Sequence, residues 1–203
     1  MEKVEPTGAL APGTITGSSG GTRAGAVGVG SWDTRDNLYF PRRGAFVSVT
    51  GVVGAEPLGS DFSFRRVRFD ARTYVGRGRL GAIALQGVVE VASGDVPFDA
   101  LPMVGGQSLL RGNPEGRYRD RAIGAVQAEY RTGPIVARRV GFAVFGGVGD
   151  VAPSLGELAG GAIPSAGFGV RWMLDPRERV NLRFDIAAGK NGVGPYIGFG
   201  EAF

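Results

Sequence analysis

The stretch RVRFDARTYV, Arg66–Val75, carries the fold in miniature. Arg66, Arg68, Asp70 and Arg72 share one side of a period of two, and Val67, Phe69, Ala71, Thr73 and Val75 share the other. Successive side chains of a strand point to opposite faces, so this run reads as a strand with one charged and one apolar face. The same alternation recurs outward along the chain. Ile83, Leu85, Val89 and Val91 oppose Ala82, Ala84, Gln86, Val88 and Glu90. Val126, Ala128 and Tyr130 oppose Gln127, Glu129 and Arg131. Phe168, Val170, Trp172 and Leu174 oppose Gly167, Gly169, Arg171 and Asp175. Val180, Leu182, Phe184 and Ile186 oppose Asn181, Arg183 and Asp185.

Nine strands follow from this pattern, near 24–35, 44–55, 62–77, 80–93, 122–132, 139–149, 166–174, 180–188 and 195–203. Most reach the roughly 9–11 residues that cross a bilayer as a tilted strand. Short turns (36–43, 76–79, 133–138, 175–179) alternate with mostly longer links (56–61, 94–121, 150–164), and 189–194 is modest. The expectation is an all-β fold, an antiparallel transmembrane β-barrel with short turns at one end and longer loops at the other. Tyr74, Tyr130, Trp172 and Phe203 are read as interfacial aromatics near strand ends. The rival is a soluble antiparallel sandwich, which also alternates. Residues 1–22 read as a loop or disordered entry segment and 23–203 as the barrel domain.

Composition narrows the function classes. Gly supplies 37 of 203 residues, without a collagen period, against an ordinary share of about 7%. With no Cys and no His, the chain has no disulfide framework, no imidazole metal site and no Ser-His-Asp triad. No nucleophile–base set is visible, so catalytic, cofactor-binding and metal-binding residues are all read as none. The opening MEKVEPTGALAPG lacks the apolar run of a signal peptide. No apolar stretch is long enough for a spanning helix, which needs about 18 residues or more. All basic residues except Lys3 and Lys190 are Arg, and the pI is near 9.8. These Arg lie on alternating faces and in turns without the interleaved aromatics of a nucleic-acid groove, so no nucleic-acid partner is expected. Gly146–Asp150 resembles a phosphate-binding loop only superficially, since it lacks the Lys-Ser/Thr and the following helix.

Four stretches carry a family resemblance. They are WDTRDNLYFPRRG (Trp32–Gly44), GGQSLLRG (Gly105–Gly112), QAEYR (Gln127–Arg131) and the ending YIGFGEAF. Together they resemble the BamA/TamA superfamily of outer-membrane assembly and secretion barrels, the bacterial surface antigens, from about Gly21 to Phe203. Trp32–Gly44 resembles the family's hairpin turn, with Asp33, Arg35, Asp36, Pro41 and Gly44. Gly105–Gly112 is similar to its inward-folded loop, with Gly105, Gly106, Leu110, Arg111 and Gly112. Gln127–Arg131 is similar to the strand after that loop. The ending resembles its terminal-strand signal, with Ile197 and Phe199 in phase with Phe203.

The resemblance implies that Arg111 reaches inside the barrel to acids on the following strands. Glu129 is the nearer acid, since its parity puts it on the polar face. Two positions depart from the pattern. Asn113 stands where an aromatic follows Arg-Gly, and Gly147 stands where F-x-D-x-G has its Asp. Asp185 or Asp175 could replace that missing carboxylate. Family members are implied to form sixteen-stranded barrels, so about nine strands look like the C-terminal half, without polypeptide-transport-associated domains. Residues 10–17 would have to supply a tenth strand for the half to close alone. The implied location is the bacterial outer membrane, with outer-membrane lipid and lipopolysaccharide around it. Client barrel proteins, or a second chain completing the barrel, are the expected protein partners. The implied function is to assist insertion or translocation of outer-membrane proteins through a weak seam at the last strand, where Gly194, Gly198 and Gly200 thin the packing. A passive channel and a soluble binder of acidic ligands are the alternatives.

Overall fold

A computed structural model describes residues 15–76, 78, 81–137, 139–158 and 160–203. Nine long strands form one antiparallel sheet, each beside its neighbour in the chain. They are β1 (Gly25–Asp33), β2 (Gly44–Gly54), β3 (Phe64–Gly76), β4 (Ala82–Gly94), β7 (Ala122–Arg131), β8 (Val140–Ala152), β9 (Ile163–Asp175), β10 (Val180–Gly189) and β11 (Gly192–Phe199). Two short strands, β5 (Met103–Val104) and β6 (Tyr118–Arg119), pair with each other inside the long link between β4 and β7. The sheet is open: β1 and β11 each have one unpaired side among the described residues. No helix among the described residues is long and apolar enough to cross a membrane.

The distribution of side chains separates a membrane wall from a soluble sandwich. Val67, Val126, Val144, Phe168 and Ile197 stand exposed on the outer face. The largest fully buried side chains include Arg111, Arg131, Arg171 and Glu129 on the inner side. A water-soluble fold buries its apolar groups and exposes its charges. Here the arrangement is inverted, as it is in a barrel whose outer wall meets lipid. Register keeps the two faces distinct, because a slip of one residue would exchange them on every strand. Thus Phe69 lies opposite Val49 and Val89, while Asp70 lies opposite Ser48 and Val88.

Several boundaries differ from the sequence reading. The last strand runs 192–199, not 195–203, because Gly200 takes a left-handed φ of 72° and turns the chain inward. Phe203 is therefore buried and out of phase with Ile197 and Phe199, which remain exposed on the outer face. Tyr74 also faces inward and packs with Ala84, Ala202 and Phe203. It has the parity of Asp70 and Arg72, so it belongs to the inner face and not to an interfacial girdle. Tyr130 and Trp172 do sit on the outer face, near the short-turn end.

Of the entry segment, residues 1–14 lie outside the described ones. Residues 15–19 form turns and not a tenth strand. The carbonyl of Thr16 accepts the Phe98 N–H at 3.0 Å. The Thr16 hydroxyl meets Asp95, and Arg23 pairs with Asp99 at 2.7 Å.

The inner face is covered from both ends. The long link from Asp95 to Arg121 folds in and buries Val104, Leu109 and Leu110 against Val88, Ile123, Ala125 and Ile163. At the short-turn end, the link between β1 and β2 buries Phe40 and Pro41. There the Glu201 N–H donates to the Tyr39 carbonyl at 3.2 Å.

Candidate functional site

The site is the buried charge cluster where the inward loop meets the wall. Strand parity delivers Gln127, Glu129 and Arg131 from β7, Arg171 from β9, and Arg183 and Asp185 from β10. The loop delivers Arg111, which is 1% exposed. Its guanidinium bonds both Glu129 and Asp185 and stacks on the Phe145 ring, 3.4 Å from the centroid. A buried guanidinium needs carboxylates, and its planar fork can serve two at once.

The cluster extends past this loop contact. Glu129 also takes Arg131 at 3.0 Å and Arg171 at 2.9 Å. Arg171 bridges Asp185 at 2.5 Å and Glu201 at 2.7 Å. Asn181 donates to Glu201 at 2.8 Å. Arg131 donates to the carbonyl of Phe203 at 2.8 Å and lies 5.1 Å from its ring. Arg183 lies 3.5 Å from Asp185, so four arginines meet three carboxylates, with the loop, the wall and the inward-turned residues 200–203 held in one network.

The missing carboxylate at position 147 has a steric explanation. A Cβ on Gly147 would sit 2.7 Å from the Gln127 Cβ and 2.8 Å from a Leu110 methyl. Leu110 fills the space a side chain there would need, and Asp185 supplies the second carboxylate. Asp175 instead accepts the N–H of Arg177 in the β9–β10 turn, at 2.7 Å.

The loop backbone is fixed by side chains of the wall. The Leu110 N–H donates to Gln127, which in turn donates to the Ser108 carbonyl and to Gln86. The Ser165 hydroxyl donates to the Arg111 carbonyl at 2.5 Å. The Gly112 N–H donates to the Tyr196 hydroxyl on β11 at 2.8 Å. Gly112 has a φ of 96°, and a Cβ there would meet the backbone of Ala188 and Gly189. Asn113 donates to the carbonyls of Leu110 and Pro164 and accepts the Lys190 N–H at 3.0 Å. A phenylalanine at this position could make none of these bonds. Gly105 and Gly106 turn the loop, and the Gly106 N–H donates to the Asn113 carbonyl at 3.0 Å.

The turn residues form a separate set in the β1–β2 link at the short-turn end. Arg35 forks onto Asp33, with 2.7 Å for the shorter pair. Asp36 accepts the N–H groups of Arg42 at 2.7 Å and Arg43 at 3.1 Å and pairs with Arg179 at 2.9 Å. Gly44 has a φ of 98° where the chain passes close to the Thr34 carbonyl. Burial pushes the Asp36 carboxyl up, but those N–H groups and the Arg179 guanidinium outweigh it and hold it below its ordinary value. A depressed carboxylate contributes stability that is present above its unfolded pKa and lost as pH falls through the folded one. The tie between the two turns is expected to survive at pH 5 and to loosen only below about pH 4. A carboxyl NMR titration of Asp36 with a midpoint at or above that of an Asp peptide would contradict this.

The Arg66, Arg68 and Arg72 ladder is partly neutralised in place, three guanidiniums against two carboxylates. Glu90 takes Arg66 at 3.2 Å and Arg68 at 2.8 Å, and Asp70 takes Arg72 at 2.8 Å. Among the described residues, no group of three or more metal-ligating side chains converges.

Sequence parity reaches Glu129 and offers Asp185 as one of two choices. It also puts Arg131 and Arg171 on the polar face without marking them as partners. Glu201, Asn113 and Tyr196 leave no signal, because their roles depend on where the loop and the last residues turn.

Comparison with known proteins places these features. The Omp85 superfamily domain matches residues 26–200. Among solved structures, BamA from Haemophilus ducreyi, lacking POTRA domains 1-3, superposes with a TM-score of 0.64 at 19% identity. The match covers 84% of this chain and 40% of that one, so the chain spans well under half the length of that relative. No curated protein matches.

Proposed function

Because this chain belongs to the Omp85 superfamily, a family of bacterial outer-membrane barrels, we propose that it helps to insert or translocate other outer-membrane proteins, with β11 as the strand a client pairs against. The carrying observation is that β11, among the described residues, pairs on one side only, with β10. This strand has eight residues against thirteen in β9. Its inner face bears Gly192, Gly194 and Gly198 around the single large side chain of Tyr196. An exposed edge offers a row of backbone donors and acceptors, and an incoming strand can satisfy them by β-augmentation. The work is non-covalent and needs no cofactor.

The inward loop supports this reading over a passive channel. Arg111, Leu110 and Asn113 occupy the inner side of the wall and are completely or almost completely buried. The Gly112–Tyr196 hydrogen bond ties that loop to the client-facing strand. The loop then serves as a lock, and its release frees the edge.

The deciding experiment reconstitutes the full chain in liposomes and adds a urea-unfolded eight-stranded barrel. Folding of the client is expected to accelerate severalfold over empty liposomes. Steady single-channel conductance with no acceleration would instead establish the passive channel.

A further inference from the structure

The two ends of the sheet differ in charge. The segments joining strands at the short-turn end hold nine Arg: 35, 42, 43, 77, 79, 138, 139, 177 and 179. They hold only two acids, Asp36 and Glu178. The four links at the opposite end carry seven acids against five basic residues. Aromatics follow the same bias. Trp32, Tyr130, Phe142, Trp172 and Phe199 all point outward within three residues of the short-turn end. Outward Trp and Tyr sit at headgroup depth, so the described arginines just beyond them, Arg35, Arg42, Arg43, Arg139, Arg177 and Arg179, lie at the level of lipid phosphates.

One cleft at this end is already built. It encloses about 500 Å³ between Asp36, Arg42, Arg43, Gly76, Gly78 and Arg179. Asp36 is consumed internally, by two backbone N–H groups and Arg179. Arg42 donates to the Gly78 carbonyl, which fixes its direction. Arg43 is exposed and has no acidic partner among the described residues. Three guanidiniums against one carboxylate leave the cleft with a surplus of two positive charges. Gly76 and Gly78 add no side chain to its floor.

We propose that this cleft binds a phosphate ester, with Arg43 and Arg42 gripping its oxygens and Arg179 closing the site. Guanidinium forks match phosphate geometry, and a surface site of this kind weakens with ionic strength. The aromatic belt beside it favours the phosphate of an anionic phospholipid in the near leaflet. The site therefore gives the wall a lipid contact distinct from the edge at β11.

The test uses the full chain refolded in neutral maltoside micelles at low salt. It is titrated calorimetrically with dihexanoyl-phosphatidylglycerol, with inorganic phosphate, and with an oligoglutamate peptide. Saturable binding of the lipid is expected, weakened at least tenfold in R42Q/R43Q and unchanged in R117Q at the opposite end. Competition by millimolar inorganic phosphate would assign recognition to the phosphate group alone. Lipid binding that free phosphate does not disturb would assign it to the whole headgroup. Either result supports the site. Arg43→Gln alone, which breaks no ion pair among the described residues, guards against a misfolded double variant and is expected to lose threefold or more. Equal lipid binding by wild type and both variants overturns the proposal, as does oligoglutamate binding tighter than either phosphate probe.

Discussion

Replacing Arg111 with Ala is expected to lower stability by about 3 kcal/mol, the lower end of the roughly 3–5 kcal/mol for breaking a buried ion pair. The lower end applies because the orphaned carboxylates keep other partners. Glu129 retains Arg131 and Arg171, and Asp185 retains Arg171. Glu129→Ala should cost more, near the upper end of that range. It leaves three buried arginines, 111, 131 and 171, sharing only Asp185 and Glu201. Both variants should lose heat-modifiable migration on gels at lower temperature. Both should also expose the loop to trypsin at Arg117 and Arg119. Denaturation in micelles reads the order directly. Wild-type behaviour of both variants would remove the lock, and Arg111→Ala costing more than Glu129→Ala would remove the charge accounting behind it.

Gly147→Asp is the other large effect, and it runs against the resemblance. The residue it installs is the one the family pattern carries, yet it should destabilise this chain by about 2–4 kcal/mol, an overpacking cost of about 1–3 kcal/mol plus poor solvation of the new carboxylate. The clash is with Leu110, Gln127 and the Val126 carbonyl. Removing the Leu110 methyls should therefore relieve it. Gly147→Asp/Leu110→Ala should lose clearly less than the sum of its single variants, the signature of a shared site. Strict additivity would show that Leu110 does not occupy the missing side chain's place.

The two variants also show where the sequence was legible. Alternation is a local property, so Arg66–Val75 discloses a strand, its two faces and, through its repeats, the eight other long strands. Glu129 follows from the same parity. What alternation cannot reach is any place where the backbone leaves the strand. Phe203 has the spacing of Phe199 and Ile197, but the left-handed Gly200 between them reverses its side. Parity alone places Tyr74 on the inner face, against the interfacial position that its aromatic ring suggests. Asn113 reads as a departure from the pattern until the loop brings it to Pro164 and Lys190. Asp185 and Asp175 differ by ten positions and share a parity, and only the depth of the loop tip chooses between them. The same limit hides the cleft at the short-turn end, which three separate links must meet to build.

The inward turn of residues 200–203 has a consequence for how the molecule matures. Glu201 neutralises Arg171 and Arg131, and the Phe203 carbonyl takes another Arg131 donor. These groups come from residues 200–203, while Tyr39, whose carbonyl receives the Glu201 N–H, comes from the β1–β2 link. Without them Arg131 keeps only Glu129, and Arg171 keeps Glu129 and Asp185, so each arginine loses a partner and the tie to the β1–β2 link goes with it. Such contacts between distant parts of a chain form late and slowly. The cluster therefore joins pieces far apart in sequence: residues 200–203, β7, β9 and the β1–β2 link have to meet before each of these arginines has its full set of partners.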